Sequence, residues 1–240
     1  MGQNQCQLKN GDVVRYEARV FGAGEYKTAH RGTFLTGERK GKSCIVKAFK
    51  STSLAFKNGN TVRVSRIAKK LATEFNAFNK TNSITPIDFL VPKPAMVTGL
   101  SRFSCLFTNA RVGDVVTCED RIYGAYEKFV SNNGTLLYHG TLSTFCHWSY
   151  WKTKQRLMIV DLQGERRKDK YILTDPAIHS TEDFDGENFG ELDCGHIGIE
   201  AFFSSHKCDK LCKTLPKPNV IRYTPEQCEK EMRKRVSNRA

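Results

Sequence analysis

The chain has 240 residues, 39% of them hydrophobic and 10% aromatic, which supplies material for a real core and excludes a wholly disordered polypeptide. No apolar run approaches the ~18 residues that span a bilayer, and the opening MGQNQCQLKNGD holds no apolar stretch of the kind a secretory leader needs. An integral membrane protein is therefore excluded, membrane partners are not expected, and a cytoplasmic location is. The formal net charge of +13 is uneven: residues 1–80 carry 16 Lys and Arg against 5 Asp and Glu, residues 81–205 carry 12 against 16, and residues 206–240 carry 10 against 4. A basic first third and an acidic middle suit a cleft that holds a polyanion on one side and a metal ion on the other. They suit a solvated basic surface equally well, and charge alone leaves nucleic-acid binding open.

Cysteine is used nine times, an odd number without the spacing of a disulfide scaffold. Most of these residues sit in apolar segments, such as Cys44 before Ile-Val and Cys105 before Leu-Phe, and read as small buried hydrophobes in a reducing compartment. Met1-Gly2 offers a glycine for myristoylation, but Cys6 stands where Ser or Thr is usual, so a plain N-terminus is expected.

In chain order, Asp12–Phe21, Gly32–Thr36 and Ser43–Phe49 read as strands separated by glycine-containing turns. Val62 to Lys80 places Val64, Ile67, Ala68, Leu71, Phe75 and Phe78 at helical spacing, with Arg66, Lys69, Lys70 and Glu74 opposite. Pro86, Pro92 and Pro94 mark an extended stretch, followed by strands at Ala95–Val97 and Ser104–Phe107. The second half reads as more helical: a helix over Leu136–Trp151, an apolar strand at Arg156–Asp161, a helix over Gly198–Cys208, and a short basic C-terminal helix started by Thr224-Pro225.

Three segments carry chemistry. His206-Lys-Cys-Asp-Lys-Leu-Cys212 gathers three imidazole or thiol donors within seven residues, a set that suits zinc and needs a fourth ligand, for which His147 is a candidate. The alternative is two ordinary core thiols and a surface histidine. Asp161, at the end of an apolar strand, stands two residues before Gln163, with Asp175 downstream; carboxylate and amide oxygens of this kind accept Mg²⁺ and can position a hydroxyl. Equally, Asp161 and Asp175-Pro176 could simply start turns. Lys47 lies in the apolar strand Cys44–Phe49, where a lysine points either to water or to an anion and contributes little packing. The turn Phe21-Gly-Ala-Gly24 upstream could cover phosphates with backbone N–H groups.

Taken in order, these segments resemble the alpha-type (atypical) protein kinases, which include myosin heavy chain kinases, the elongation factor kinase and kinase domains fused to melastatin-type channels. The resemblance rests on Phe21–Gly24, Val46-Lys47, Leu71–Asn76, Ile122–Lys128 running into Asn132-Asn-Gly134, Phe145-Cys-His147, Val160-Asp-Leu-Gln-Gly164, Leu173–His179 and Phe202–Cys212. It implies an α+β, two-lobed atypical protein-kinase-like fold over residues 1–240, with a β-rich N-lobe to about 118, a hinge over about 119–124 and a mixed, zinc-containing C-lobe from about 125. It implies ATP- and Mg²⁺-dependent transfer of a phosphoryl group to Ser or Thr of a protein substrate. Lys47 would contact the α- and β-phosphates. Backbone at Asp120–Ile122 would hold adenine, and Lys128 and Asn132 would face the phosphates. Asp161 would orient the substrate hydroxyl, and Gln163 and Asp175 would hold Mg²⁺. His147, His206, Cys208 and Cys212 would bind a structural Zn²⁺.

Two departures stand out. Glu165-Arg-Arg-Lys-Asp-Lys-Tyr171 lengthens the connection after Gly164, and Gly190-Glu-Leu-Asp-Cys-Gly195 keeps only the outer glycines of a G-x-G-N-L-G turn linked to peptide substrate. The second departure predicts altered substrate recognition, since a middle glycine is lost. The rival readings are a pseudokinase that keeps the fold and signals by binding, and a basic zinc-stabilised nucleic-acid binder.

Overall fold

The computed structural model describes residues 2–24, 26–50, 58–79, 84–102, 104, 110–181, 189–190 and 192–237. The chain folds as two units, one formed by residues 1–63 and 91–121 and the other by residues 64–90 and 122–240. The division is thus not one cut near residue 118. Residues 64–90, expected with the first lobe, group with the second because Val64, Ala68, Leu71, Ala72, Phe75, Ile87 and Phe89 enter its core.

The first unit is a seven-stranded antiparallel sheet. Its strands are β1 (Gln3–Leu8), β2 (Val13–Glu17), β3 (Gly22–Ala23), β4 (Lys27–Phe34), β5 (Ser43–Phe49), β7 (Lys93–Gly99) and β8 (Val115–Asp120). They run in the order β2-β1-β7-β8-β5-β4-β3, and an additional β2–β4 pairing closes six of them into a ring. Alternate residues fill one face: Cys6, Leu8, Val14, Tyr16, Phe34, Cys44, Val46, Ala95, Val97, Val116 and Cys118. Cys6, Cys44 and Cys118 serve there as small apolar fillers, as read from their context, and burial pushes the Cys6 thiol up to about 12. The opposite face carries Lys47, Thr117 and Glu119, because register pairs Lys47 with Thr117 and Ile45 with Glu119. Ser104 lies in a short helical turn rather than a strand, and Cys105–Phe107, with the rest of that expected strand, fall outside the described residues.

The second unit is mixed. Helix α1 (Asn58–Phe78) leads into it from the first, followed by β6 (Ile87–Phe89), β9 (Tyr126–Val130), α2 (Thr141–Lys152), β10 (Leu157–Val160), β11 (Leu162–Arg166), β12 (Tyr171–Thr174), β13 (Ala177–Ser180), α3 (Gly195–Ser205) and α4 (Pro225–Ser237). This half holds more strand than the sequence predicts. Strands β6, β12, β11 and β9 form one sheet in that order, and β10 pairs with β13 in another. Helix α2 starts at Thr141 rather than Leu136, since Gly140 turns the chain at φ +118° and Leu136 instead bridges back to Val130. Helix α3 ends at Ser205, leaving His206 as its C-cap with extended backbone; the donor-bearing segment after it is loop, not helix. Phe75, Phe145 and Trp148 stack edge-on, with centroids 5.3 and 5.4 Å from Phe75, which fixes α1 against α2.

Candidate active site and metal centre

The site residues of the second unit sit where the chain changes sheets. Strand β10 pairs with β13 up to Val160 opposite Ala177, and β11 pairs with β12 from Gln163 opposite Thr174. The chain therefore leaves one sheet for the other at Asp161 and returns at Asp175-Pro176. Both aspartates take left-handed backbone, φ +57° and +49°, a conformation that Asp and Asn tolerate better than most residues. Asp161 is nearly buried; Lys128 Nζ lies 2.9 Å from its Oδ1, and Gln163 Nε2 donates to its Oδ2 at 3.2 Å. Lys128 is opposite Gln163 in the β9–β11 register, so the two share a sheet face with Thr174. Gly164, at φ +150°, lies so close to Ile172 that a Cβ would strike the Ile172 carbonyl. Each letter of Asp161-Leu-Gln-Gly164 thus has a local reason: a turn, a core residue, an amide on the acid, and a strand contact that excludes a side chain.

In the first unit Lys47 is buried, and its Nζ lies 2.5 Å from Glu119 Oε1. Glu119 was not picked out from sequence. Its signal is the one Lys47 carries, a charged residue in a strand whose neighbours are apolar. Lys47 is thus one half of a buried ion pair rather than a residue that points to water, and breaking such a pair is destabilising. Asp120 ends β8 with its carboxylate 3.0 Å from Arg39, whose guanidinium stacks on Phe34 at 3.8 Å. Ile122 opens the second unit.

Asn132 is held differently from Lys128. Its Nδ2 donates to the Leu192 carbonyl at 3.1 Å and to Met232 Sδ at 2.9 Å, and its Oδ1 is buried without a hydrogen-bond partner. The buried His179 donates from Nε2 to the Asn132 carbonyl at 2.7 Å and accepts the Cys194 N–H on Nδ1 at 3.1 Å, which fixes its neutral tautomer. The Gly190–Gly195 turn is fastened by Asp193, which accepts from Ser180 N–H and Gly195 N–H, both at 2.9 Å, and from Ser180 Oγ. Leu192 packs against the main core and its φ is not positive; Glu191 falls outside the described residues. The lengthened connection after Gly164 is a β11–β12 hairpin closed by Arg167 N–H to the Lys170 carbonyl at 2.8 Å.

His147 on α2 and His206, Cys208 and Cys212 after α3 converge, with one donor atom from each lying within 4.8 Å of every other. Cys208 Sγ is 3.5 Å from His147 Nδ1, and Cys212 Sγ is 3.4 Å from His206 Nε2. A tetrahedral zinc with bonds of about 2.0–2.1 Å to nitrogen and about 2.3 Å to sulfur holds neighbouring donors about 3.4–3.8 Å apart, and both of these His–Cys pairs have that spacing. The second nitrogen of His147 donates to the Pro216 carbonyl at 3.0 Å, which turns the Nδ1 lone pair toward the thiols. Burial, with His147 adding to it, lowers His206 to about 4, so the ring is neutral at pH 7, the form that can donate a lone pair to a metal. Asp209, which the sequence reading passed over, shapes the turn: it accepts from Leu211 N–H at 2.8 Å and Cys212 N–H at 3.2 Å, and from Thr144 Oγ1 of α2 at 2.7 Å.

A two-unit α+β chain with a sheet-rich first unit is the architecture of alpha-kinase domains. The alpha-kinase family model matches residues 22–212, and the chain belongs to the alpha-kinase family, whose members are protein kinases. An alpha-protein kinase, vwkA, of Dictyostelium discoideum is 37% identical over 153 residues, covering 62% of this chain and 22% of its own length. Myosin heavy chain kinase B of the same organism is 28% identical over 208 residues, covering 85% and 25%. The chain thus spans about a quarter or less of the length of these relatives. Among solved structures, an alpha kinase from Entamoeba histolytica superposes with a TM-score of 0.72 at 25% identity, over 92% of this chain and 87% of that one. The ADP complex of the myosin heavy chain kinase A domain shares the fold, with a TM-score of 0.66 at 20% identity over 88% and 94%.

Proposed function

We propose that the chain is a protein kinase that transfers the γ-phosphoryl group of Mg²⁺-bound ATP to Ser or Thr of a protein. The observation that carries this reading is the meeting of Asp161, Gln163 and Lys128 at one sheet crossing, with Asp175 at the matching crossing of the neighbouring strand. Gln163 and Asp175 would hold Mg²⁺, which supplies charge neutralisation on the phosphates. Asp161, held by Lys128 and Gln163, would accept the proton of the substrate hydroxyl and aim its oxygen. Lys47, oriented by Glu119, would bind the α- and β-phosphates as a point charge, and backbone at Asp120–Ile122 would take adenine. Such a site works by positioning and charge rather than by covalent chemistry. His147, His206, Cys208 and Cys212 would bind a structural zinc, since four protein donors leave no open position.

Among the described residues no helix is long and apolar enough to cross a membrane; we place the kinase in the cytoplasm on its odd cysteine count without the spacing of a disulfide scaffold. The test is autophosphorylation with labelled ATP and Mg²⁺. The wild type should incorporate label and Asp161→Asn should not; equal labelling of the two refutes the assignment.

A further inference from the structure

Helix α4 lies beyond residues 22–212, the span the family model matches, yet it reaches the turn that carries Asn132. Its seat is narrow. Cys228 is fully buried, and Met232 packs beside it on Cys194, Ala201 and Ile197. From that seat Met232 Sδ takes a hydrogen bond from Asn132 Nδ2 at 2.9 Å, and Glu229 Oε2 takes one from Asn133 Nδ2 at 3.4 Å.

The backbone of the same turn is fixed by other elements. His179 donates to the Asn132 carbonyl at 2.7 Å, and Ser205 Oγ donates to the Gly134 carbonyl at 2.8 Å. A side chain at Gly134 would collide with the Phe202 backbone. What α4 controls is therefore the Asn132 side chain, not the path of the chain. That side chain is 7% exposed, its amide hydrogens are spent on Met232 and Leu192, and its Oδ1 is buried with no partner. The amide is thus engaged by α4 and by the Leu192 carbonyl, in a position that leaves an acceptor unsatisfied.

We propose that α4 is an autoinhibitory latch: seated, it holds Asn132 away from the nucleotide, and unseating it releases the side chain. This rests on the reading of Asn132 as a nucleotide-facing residue. Among the described side chains the apolar anchors of α4 are Cys228 and Met232, a seat that opens at low free energy, and coupling between two sites is reciprocal, so nucleotide binding must in turn loosen α4.

The experiment has two arms on the full chain. Met232→Ala, alone and with Glu229→Ala, should lower the KM for ATP about fivefold or more in autophosphorylation, the lower end of typical coupling strengths. Amide hydrogen exchange across residues 225–237 of the wild type should rise when Mg²⁺ and ATP are added. The Met232→Ala gain should vanish in an Asn132→Ala background. A raised or unchanged KM in both Met232 variants, or exchange in α4 that slows with nucleotide, overturns the latch. If instead Asn132→Ala alone matches the wild type in KM and kcat while the Met232→Ala gain survives beside it, the reading of Asn132 is what fails, and the latch fails with it.

Discussion

Asp161 and Asp175 occupy matching kinks on neighbouring strands, each left-handed, bracketed by the pairs Val160–Ala177 and Gln163–Thr174. One geometric device thus serves both acids: a strand that must pass from one sheet to another turns at a residue whose short polar side chain tolerates positive φ. The backbone and the chemistry ask for the same residue type at both places.

That coincidence separates two substitutions usually treated as equivalent. Asp161→Asn keeps a residue suited to the left-handed region and should fold normally while losing phosphoryl transfer. Asp161→Ala should lose activity and, in addition, about 1 kcal/mol of stability from backbone strain. Melting curves of the two variants check this; equal melting temperatures would show that the kink costs nothing.

Lys47 and Glu119 form a buried pair, so Lys47→Ala should lower stability by about 3 kcal/mol as well as raise the KM for ATP, because breaking a buried ion pair by removing one partner is strongly destabilising. The double variant Lys47→Met with Glu119→Gln should regain most of the stability and none of the activity. Denaturant titration of the three proteins decides it, and a Lys47→Ala protein as stable as the wild type would show that Glu119 is solvated.

At Gly164 even the smallest side chain meets the Ile172 carbonyl, and φ is +150°. Gly164→Ala should therefore force β11 and β12 apart and shift Gln163 relative to Asp175. We expect soluble yield and Mg²⁺-dependent activity to fall together. Recovery of folded protein with full activity would mean that the strands give way without cost.

The two metals should separate cleanly. Cys208→Ala removes a donor from a site that joins α2 to the chain after α3, and structural zinc binding in small domains is worth about 10–16 kcal/mol. Protease-sensitive or insoluble protein is the expected outcome. Asp175→Asn should fold, keep about one zinc per chain by atomic spectroscopy and transfer no phosphate. A stable, active, zinc-free Cys208→Ala chain would overturn the structural-zinc reading.

The altered Gly190–Gly195 turn invites restoration, and the structure argues against an easy gain. Asp193→Asn can keep Oδ1 on the Ser180 and Gly195 amides while donating to Ser180 Oγ, since a hydroxyl accepts as readily as it donates. It should be close to neutral. Leu192→Gly instead removes a partly buried side chain that packs against the core, at a position that needs no positive φ, and should cost about 2 kcal/mol. Paired melting and peptide-phosphorylation measurements test both, and a rise in peptide turnover in Leu192→Gly would show that the departure, not the packing, limits the reaction.

Sequence alone reached Asp161, Lys47 and the His206–Cys212 cluster because each breaks an apolar or regular pattern in a way local rules register. His147 was a candidate fourth donor from the sequence as well, but only the family resemblance joined it to the other three, since its place on α2 is distant in sequence from them. Strand β1 was missed because its inward set includes Asn4, fully buried yet satisfied by Ser104 Oγ at 3.1 Å and the Ser101 N–H at 2.9 Å. Such a polar core residue erases the alternation that reveals a strand. Strands β9 and β11 were missed for a related reason: Lys128, Gln163, Glu165 and Arg166 make functional sheet read as loop. The pairings of Glu119 with Lys47 and of Met232 with Asn132 join distant segments, and no local pattern encodes them.

The ring formed when β2 pairs with β4 has a consequence for how this chain survives synthesis. A sheet closed on itself offers a passing strand little to pair with, and among the described residues only the two-residue β3 continues the ladder beyond the ring. An edge so short is a poor template for intermolecular β-pairing. The first unit should therefore resist strand-mediated aggregation once its ring has closed.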